Sequence, residues 1–233
     1  MVFFSVYRFD VVNIAILIVI SYLFGSIPTG VWVSKLFFGF DLRDKGSGNT
    51  GSTNAFRVLG KKWGIIVQLI DILKAYIPVA ILSTLLVKDI SLFGLDYGSS
   101  FVIVQMLSGI FTVVGHMFPV FAKFKGGKGV NCILGMFLGI MPIDAATGLS
   151  MFIIVVILSG YVSLGSLVAI VCVPLSLVIR ATVFNVEIPG FNILLSYALL
   201  MVVLLFYSHR ANIKRLRAGE ENRFEKIMIF KRK

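Results

Sequence analysis

The chain of 233 residues is 58% hydrophobic and only 14% charged, and its formal net charge is +11 at pH 7. This composition excludes an ordinary soluble domain, and the continuous apolar runs exclude a transmembrane β-barrel, whose strands alternate. The sequence therefore predicts an all-α, polytopic membrane protein, with its basic excess explained by the positive-inside rule and anionic lipid. Cys132 and Cys172 both lie in apolar runs, so neither a disulfide nor a metal site is predicted.

The first apolar run, residues 11–33, exceeds the roughly 20 residues that a hydrocarbon core requires. It has no strongly basic start and no A-x-A cleavage site, so we expect a retained span rather than a signal peptide. Residues 41–60 follow, with the sequence DLRDKGSGNTGSTNAFRVLG. We call this polar stretch the first glycine-rich segment.

The first glycine-rich segment has the features of a phosphate site. Gly46, Gly48 and Gly51 permit turns in which consecutive N–H groups converge, and short polar side chains around them can cap a helix that carries Arg57. A glycine-rich loop that leads into a helix beside an arginine is suited to hold phosphate. The alternative is an ordinary basic cytoplasmic loop between two spans.

The second predicted span, residues 64–87, contains Asp71 and Lys74, which are three residues apart and so share a helical face. Charges at this depth are costly and usually face a partner or a water-filled cavity. Two interpretations stay open, a functional pair that lines such a cavity and a self-neutralising pair that only braces the bundle.

The third predicted span, residues 101–121, leads into a second polar cluster. Residues 115–129, GHMFPVFAKFKGGKG, surround two consecutive glycines with lysines, and we call them the second glycine-rich segment. One lysine-rich loop would only indicate topology, but two glycine-rich cationic loops separated by two spans lie on one side of the membrane. Together they indicate a shared anion.

The number of spans decides where the basic C-terminus lies. Three apolar runs follow the second segment, residues 130–160, 164–179 and 191–207, and three spans would place the basic tail opposite the first two clusters. The first run is long and contains Pro142 and Asp144, so we split it there. The result is seven transmembrane helices, with the N-terminus outside and the C-terminus cytoplasmic.

Two further candidates lie in the C-terminal part. The turn at residues 160–166 falls on the inner face in this topology, and there Ser166 is predicted as a helix cap and a ligand. Residues 208–221, SHRANIKRLRAGEE, form a C-terminal basic segment in which His209 and Asn212 share a helical face. A juxtamembrane basic helix is usually a headgroup anchor, but a histidine that points back toward the bundle is unexpected in one.

Three motifs, residues 46–57, 115–130 and 209–221, together resemble the acyl-phosphate-dependent glycerol-3-phosphate acyltransferases of bacteria. The resemblance covers essentially the whole chain and implies a single membrane-embedded domain, residues 1–233, in the bacterial cell membrane with its active-site loops facing the cytoplasm. It implies transfer of an acyl group from acyl phosphate to sn-glycerol 3-phosphate, which gives lysophosphatidic acid and phosphate in phospholipid synthesis.

The resemblance also implies residue roles. The predicted catalytic residues are Ser47, Arg57, Lys128, Ser166, His209 and Asn212. The predicted substrate-binding residues are Gly48, Asn49, Thr53, Asn54, Gly126 and Gly127. Ser47, Gly48 and Asn49 would hold the acyl-phosphate head, while Thr53 and Asn54 would support the first loop. The chain departs from the family at Asn131 and Cys132, where Ala and Thr are usual. No cofactor, metal or nucleic-acid partner is expected.

An acyl phosphate is already activated, so the enzyme needs positioning and charge stabilisation more than a strong nucleophile. The sequence has neither an HxxxxD acyltransferase motif nor a GxSxG elbow. Two roles for His209 stay open, a hydrogen-bonding residue for the acceptor and a general base. A transporter of phosphorylated metabolites would predict an internal repeat, but the three clusters differ from one another. A nonenzymatic lipid-binding scaffold leaves the glycine–lysine loop unexplained.

Overall fold

A computed structural model describes residues 2–88 and 90–224, with side chains from residue 11 onward. Every regular element in this part of the chain is helical. The chain divides into two compact units, Met1–Ile140 and Met141–Lys233, which we call the first and second units. The predicted single domain stays a prediction, and both chain termini, whose sides of the membrane were predicted, lie outside the described residues.

The first unit is built from seven α-helices within the described residues. They are α1 (Val2–Gly25), α2 (Thr29–Phe38), α3 (Ser52–Val58), α4 (Lys61–Tyr76), α5 (Ser83–Leu86), α6 (Tyr97–Met117) and α7 (Val130–Ile140). Short 3₁₀ turns at Leu42–Asp44 and Val120–Ala122 lie in the two glycine-rich segments.

The first predicted span, residues 11–33, is divided between two helices. Helix α1 ends at Gly25, α2 begins at Thr29, and the two are bent by 41° at the break. Pro28 lies in this break, where it has no N–H to continue the hydrogen bonds of α1, while its carbonyl accepts from Trp32 N to start α2. Helix α2 then ends at Phe38 and is followed by Gly39, whose φ of +72° suits glycine. The chain therefore enters the first glycine-rich segment from a short, redirected helix.

The second predicted span begins three residues earlier than expected. Helix α4 continues through a π-helical turn, Ile77–Leu82, into α5, and the whole stretch Lys61–Leu86 has 26 residues. Pro78 lies in the π-helical turn, and because proline has no N–H it cannot donate a regular α-helical hydrogen bond, although its carbonyl accepts from Ser83 N. The helix nevertheless continues, so the charged pair on α4 stays within one long span.

Small residues allow α1 and α6 to approach closely. A Cβ at Gly25 would lie 2.0 Å from Thr112 O, and one at Gly115 would lie 2.3 Å from Tyr22 O. Helix pairs in membranes pack through such small residues because lipid tails supply no hydrophobic drive for association. This packing supports the end of α6, from which the second glycine-rich segment emerges.

The second unit begins at the break that was predicted at Pro142. Its helices are α8 (Pro142–Ser159), α9 (Val162–Thr182), α10 (Phe191–Ser208) and α11 (Arg210–Ala218). Asp144 is fully buried and accepts from Arg180 Nη1 at 2.6 Å and from Ser176 Oγ at 2.7 Å. These bonds join α8 to α9 and neutralise a carboxylate that would be costly in an apolar environment.

Within the described residues, five helices are long and apolar enough to cross a membrane, and counting the bent α1–α2 pair brings the number to six. Helix α7 is apolar but has only 11 residues, which rise about 16 Å at 1.5 Å per residue. The protein is thus a multi-pass, all-helical chain, while the predicted seventh crossing depends on α7.

Candidate active site

The first glycine-rich segment is organised around one carboxamide. Asn54 is 1% exposed, and its Nδ2 donates to the carbonyls of Leu42, Lys45 and Asn49 at 2.9–3.1 Å. Its Oδ1 accepts from Ser47 N at 2.8 Å. The prediction that Asn54 supports this loop is confirmed, whereas direct contact with a substrate stays a prediction.

The prediction that consecutive N–H groups converge on an anion was wrong for three of them. The N–H groups of Ser47, Gly48 and Gly51 all donate to acceptors inside the segment. Gly46 has φ +63°, and a Cβ there would lie 2.3 Å from Asn54 Oδ1, so both conformation and space demand glycine. The glycine-rich segment is therefore a self-bonded loop, meaning that these N–H groups donate to acceptors within the same loop. Ser47 and Gly48 are exposed on its surface.

An ion pair closes the start of the segment. Asp41 accepts two side-chain bonds from Arg43, at 2.9 and 2.7 Å, and lies 3.2 Å from the half-exposed ammonium of Lys35. The hydrogen bonds from Arg43 hold the pKa of the Asp41 carboxyl well below its usual range. The carboxylate therefore stays ionised and orients the guanidinium.

The two glycine-rich parts of the first unit are in direct contact. Arg43 Nη1 donates to Ala122 O at 3.0 Å, which joins the first segment to the 3₁₀ turn of the second. Asn131 Nδ2 donates to Ser52 Oγ at 2.9 Å, which joins the start of α7 to the start of α3. The expectation that these two clusters lie on the same side is thus supported by one hydrogen bond between them and a second one from the start of α7.

The lysines of the second segment differ in exposure. Lys123 and Lys125 are exposed, whereas Gly126, Gly127 and Lys128 are half-buried. The exposure of Lys123 agrees with the prediction that it faces solvent or headgroups, while the site role of Lys128 stays a prediction.

Beneath the loops lies the buried pair Asp71 and Lys74, whose side-chain atoms Oδ1 and Nζ are 2.8 Å apart. Thr29 Oγ1 donates to the same carboxylate oxygen at 3.0 Å, and Lys74 Nζ also donates to Ile27 O at 2.8 Å. Cys132 Sγ donates to the backbone oxygen of Asp71 at 3.3 Å. Of the two interpretations, the bracing pair is therefore the one that the contacts support, and it holds the break between α1 and α2.

Arg57 and Thr53 lie in α3, where both are half-buried, and Arg57 is in the last turn. The helix begins at Ser52 after Gly51, with no side-chain cap, although Asn49 Oδ1 accepts from Gly51 N at 2.9 Å. The expected side-chain cap on α3 is therefore absent. A turn at residues 49–51, directly before the helix, takes its place and fixes the side chain of Asn49.

In the second unit, His209 lies between α10 and α11 and is 3% exposed. Its Nδ1 lies 3.0 Å from Leu205 O and 3.1 Å from Ser208 Oγ. A carbonyl oxygen only accepts, so the bond to Leu205 places the proton of the neutral ring on Nδ1. The basic nitrogen of that ring is then Nε2.

Glu221 orders the end of the C-terminal basic segment. Its carboxylate accepts from Asn212 Nδ2 at 2.7 Å, from Ser163 Oγ at 3.1 Å and from Arg215 Nε at 2.7 Å. Burial alone would raise the pKa of Glu221, but these hydrogen bonds outweigh it and the pKa is lowered. Asn212, which is buried, is thereby held in one orientation.

Ser166 does not cap a helix, which corrects one half of its prediction. Helix α9 begins at Val162 after Tyr161, and Ser166 Oγ donates back to Val162 O at 2.9 Å. The residue is buried, and its hydroxyl proton is engaged. Its oxygen can still accept a hydrogen bond, so its predicted role as a ligand stays a prediction.

Sequence reasoning missed Arg43, His116 and Glu221, although all three lie in segments that it singled out. The spacing of Asp41 and Arg43 just after a helix end was the available signal for the first. The other two become recognisable only through partners that are distant in sequence.

Comparison with known proteins shows which family this chain resembles. The family model for glycerol-3-phosphate acyltransferase matches residues 15–219, which include every predicted site residue. Curated relatives with that name include one from Chlorobium limicola, 41% identical over 89% of this chain and 94% of its own length. Another, from Enterococcus faecalis, is 42% identical over 91% of this chain and 92% of its own length.

This chain belongs to the glycerol-3-phosphate acyltransferase family. Two crystal structures of PlsY (YgiH), an integral membrane glycerol 3-phosphate acyltransferase, resemble it. The glycerol 3-phosphate form has a TM-score of 0.75 at 37% identity and covers 91% of this chain and 95% of its own. The lysophosphatidic acid form has a TM-score of 0.73 at 35% identity, covering 90% and 94%. The acyltransferase described here is accordingly an integral membrane enzyme.

Proposed function

We propose that this acyltransferase moves an acyl group from an acyl phosphate to sn-glycerol 3-phosphate, giving 1-acyl-sn-glycerol 3-phosphate (lysophosphatidic acid) and inorganic phosphate. The observation that carries the proposal is the direct contact between the two glycine-rich segments of the first unit through Arg43, reinforced by Asn131 at the start of α7, directly after the second segment. Both substrates are phosphate dianions, and this contact joins two loops that each contain glycines and cations.

The chemistry needs no covalent enzyme intermediate. The glycerol hydroxyl attacks the acyl carbon, the carbon–oxygen bond to phosphate breaks, and the departing phosphate takes the hydroxyl proton. One ester bond forms as one mixed-anhydride bond breaks, so the protein contributes orientation and cations that stabilise the developing charge. A phosphate oxygen held beside the hydroxyl makes a separate general base unnecessary.

In the first unit, we assign the acyl-phosphate head to Ser47, Gly48 and Asn49, and phosphate oxygens to Arg57 and Lys128. Support for the first group comes from the self-bonded loop, which leaves Ser47 exposed on a rigid support. The half-buried position of Lys128, in contrast to exposed Lys123, supports the second.

In the second unit, we assign glycerol 3-phosphate to Ser166, His209 and Asn212. The Nδ1-protonated ring of His209 supports this role, because Nε2 can accept from a glycerol hydroxyl or, when protonated, donate to phosphate. The bond from Asn212 Nδ2 to Glu221 fixes the plane of the Asn212 carboxamide, which supports a role in orienting the acceptor.

The decisive experiment uses the purified chain with glycerol 3-phosphate and either palmitoyl phosphate or palmitoyl-CoA. We expect phosphate release and lysophosphatidic acid only with the acyl phosphate. Turnover with palmitoyl-CoA and none with palmitoyl phosphate would overturn the proposed donor while leaving the family assignment intact.

A matched pair tests the cation assignment. Lys128→Ala should lower kcat/KM by at least about 30-fold, because a charge-assisted phosphate contact is worth roughly 2 kcal/mol or more. Lys123→Ala should stay within about twofold of the parent, as expected for an exposed charge. Arg57→Lys keeps the charge but loses the bidentate fork, so strong impairment is expected there too. Equal, mild effects at all three positions would mean that these basic residues only set the orientation of the chain in the membrane.

His209→Gln separates the two roles of the histidine. If His209 binds the acceptor, the variant keeps measurable kcat with a raised KM for glycerol 3-phosphate. Loss of kcat together with the acidic limb of the pH profile would instead make it the base. Trapping of an acyl-enzyme at Ser47 or Ser166 would require a two-step mechanism.

We further propose seven spans, with the active-site loops on the cytoplasmic side of a bacterial cell membrane. The bias of basic residues toward the two glycine-rich segments and α11 supports this orientation. A reporter after Lys233 should be cytoplasmic, and a tag inserted between Pro142 and Asp144 should be external. A cytoplasmic tag at that insertion would contradict the crossing of α7.

A further inference from the structure

His116 occupies a position that the proposed reaction does not use. It lies in the last turn of α6 and is buried, with 7% of its surface exposed. The second glycine-rich segment turns back onto it, because Gly127 N donates to His116 O at 3.0 Å. The loop that carries Lys128 is thus hydrogen-bonded to this residue of the preceding helix.

The two glycines before Lys128 are in van der Waals contact with His116 on different atoms. A Cβ at Gly126 would lie 2.0 Å from His116 O, and a Cβ at Gly127 would lie 2.2 Å from His116 Nε2. Neither glycine has a positive φ, unlike Gly129 at +84°. Glycine is therefore needed at both positions because of the space that His116 fills and not because of backbone conformation.

The opposite edge of the imidazole faces the buried ion pair. His116 Nδ1 lies 3.9 Å from Asp71 Oδ1, which is already bonded to Lys74 and to Thr29. The same Lys74 ammonium holds Ile27 O at the break between α1 and α2. The ring is therefore wedged between a fixed carboxylate on one side and the backbone of Gly127 on the other.

We propose that His116 is a positioning residue for Lys128. Its ring and carbonyl set how closely residues 126–127 approach the end of α6, and this distance fixes where the Lys128 backbone starts. Because Gly127 packs against the Nε2 edge, the ring acts as a support for the loop and not as a proton acceptor for a substrate. The inference rests on the proposed role of Lys128 in phosphate binding.

The atoms in contact provide a matched test. At Gly127 the clash is with the side chain of His116, so shortening that side chain makes room for a methyl group. At Gly126 the nearest atoms are His116 O, Pro119 Cδ and Met117 O, which remain when His116 is shortened. Gly127→Ala and Gly126→Ala should consequently respond differently to the same second substitution.

The experiment measures kcat and KM for glycerol 3-phosphate on the purified full chain, with palmitoyl phosphate as donor. In the parent background, Gly126→Ala and Gly127→Ala should each raise KM about tenfold or more, with kcat changed less than about threefold. His116→Ala alone should raise KM at least about threefold. In the His116→Ala background, Gly127→Ala should cost less than about twofold more, whereas Gly126→Ala should keep its full cost.

His116→Asn is the second background, in case the alanine variant is not monodisperse in detergent, since asparagine also ends short of the Nε2 position. An equal cost of Gly127→Ala in all backgrounds would overturn the proposal, as would an unchanged KM in both His116 variants. Lys128→Ala is the reference, and an unchanged KM there would reject the phosphate role of Lys128 and the positioning role with it. A raised KM there with no coupling at Gly127 would reject the positioning role alone.

Discussion

The two units order a polar segment at the end of apolar helices with different chemistry. In the first unit, the neutral carboxamide of Asn54 donates to three backbone carbonyls and accepts from one N–H. In the second, the carboxylate of Glu221 accepts from three side chains, those of Asn212, Ser163 and Arg215.

The difference follows from what each residue must satisfy. A tight loop leaves both backbone donors and acceptors without helical partners, so its organiser needs both kinds of atom. In the second unit the backbone of α9 and α11 is already bonded within helices, so the organiser joins side chains, and a charge strengthens each bond. One consequence is that only the Glu221 network depends on pH through its organiser.

The strongest way to break this comparison is Asn54→Ala. It removes the side-chain donor of Asn49 O and the acceptor of Ser47 N, while the carbonyls of Leu42 and Lys45 keep their backbone bonds from Lys45 N and Gly48 N. Each group left unpaired costs about 1–3 kcal/mol when buried. We expect kcat/KM for glycerol 3-phosphate to fall by about 100-fold or more. The isosteric Asn54→Asp keeps the acceptor but loses the donors, so it should be comparably damaging. A variant within tenfold of the parent would show that the carboxamide does not organise the loop.

Glu221→Gln tests the charged organiser. It keeps size and acceptor but loses the charge opposite Arg215, so we expect a loss of about tenfold in kcat/KM and about 5 °C in apparent Tm. Glu220→Gln removes the same charge from the exposed neighbour and serves as the control.

The same pair of variants reports the pH dependence. Because the pKa of Glu221 is lowered in the folded protein, its stabilisation is present above the ordinary glutamate value and is lost as pH falls through the lowered pKa. The parent should therefore lose Tm in acid more steeply than Glu221→Gln does, and Glu220→Gln should follow the parent. If Tm fell equally with pH in the parent and in both variants, the charge of Glu221 would not contribute to the order of this segment.

A smaller effect is expected from Arg43→Lys, which sharpens the role of contacts between segments. Lysine keeps the charge beside Asp41 but cannot hold Asp41 and Ala122 O in one planar fork. We expect KM for glycerol 3-phosphate to rise about fivefold. Lys35→Ala removes the half-exposed partner of the same carboxylate and should change KM less than about twofold. A larger rise in KM for Lys35→Ala than for Arg43→Lys would contradict the role of Arg43 in joining the two segments.

The smallest effect should come from Asn131→Ala. It removes one neutral, half-buried hydrogen bond to Ser52, which is worth about 0.5–1.5 kcal/mol. KM should rise less than about threefold, as measured in the same phosphate-release assay. A tenfold rise would mean that this bond, and not Arg43, holds the two segments together.

Several features were determined by the sequence alone. Apolar runs of sufficient length can be satisfied in lipid only as helices, so the all-helical membrane class and the break at Pro142 followed directly. The motif residues likewise identified the family, because residue types such as Gly46 and Asn54 meet demands that are local in sequence.

Only the tertiary structure decided which of those residues support the neighbouring backbone and which are exposed. Ser166 turned out to bond back along its own helix, and Asp71 with Lys74 to brace the break at Ile27, since their partners depend on backbone breaks that hydropathy does not resolve. Glu221 and His116 gained roles through contacts 58 and 11 residues away along the chain, with Ser163 and Gly127. Short-range periodicity carries no information on such contacts, because they exist only once helices have packed and buried polar atoms must find partners.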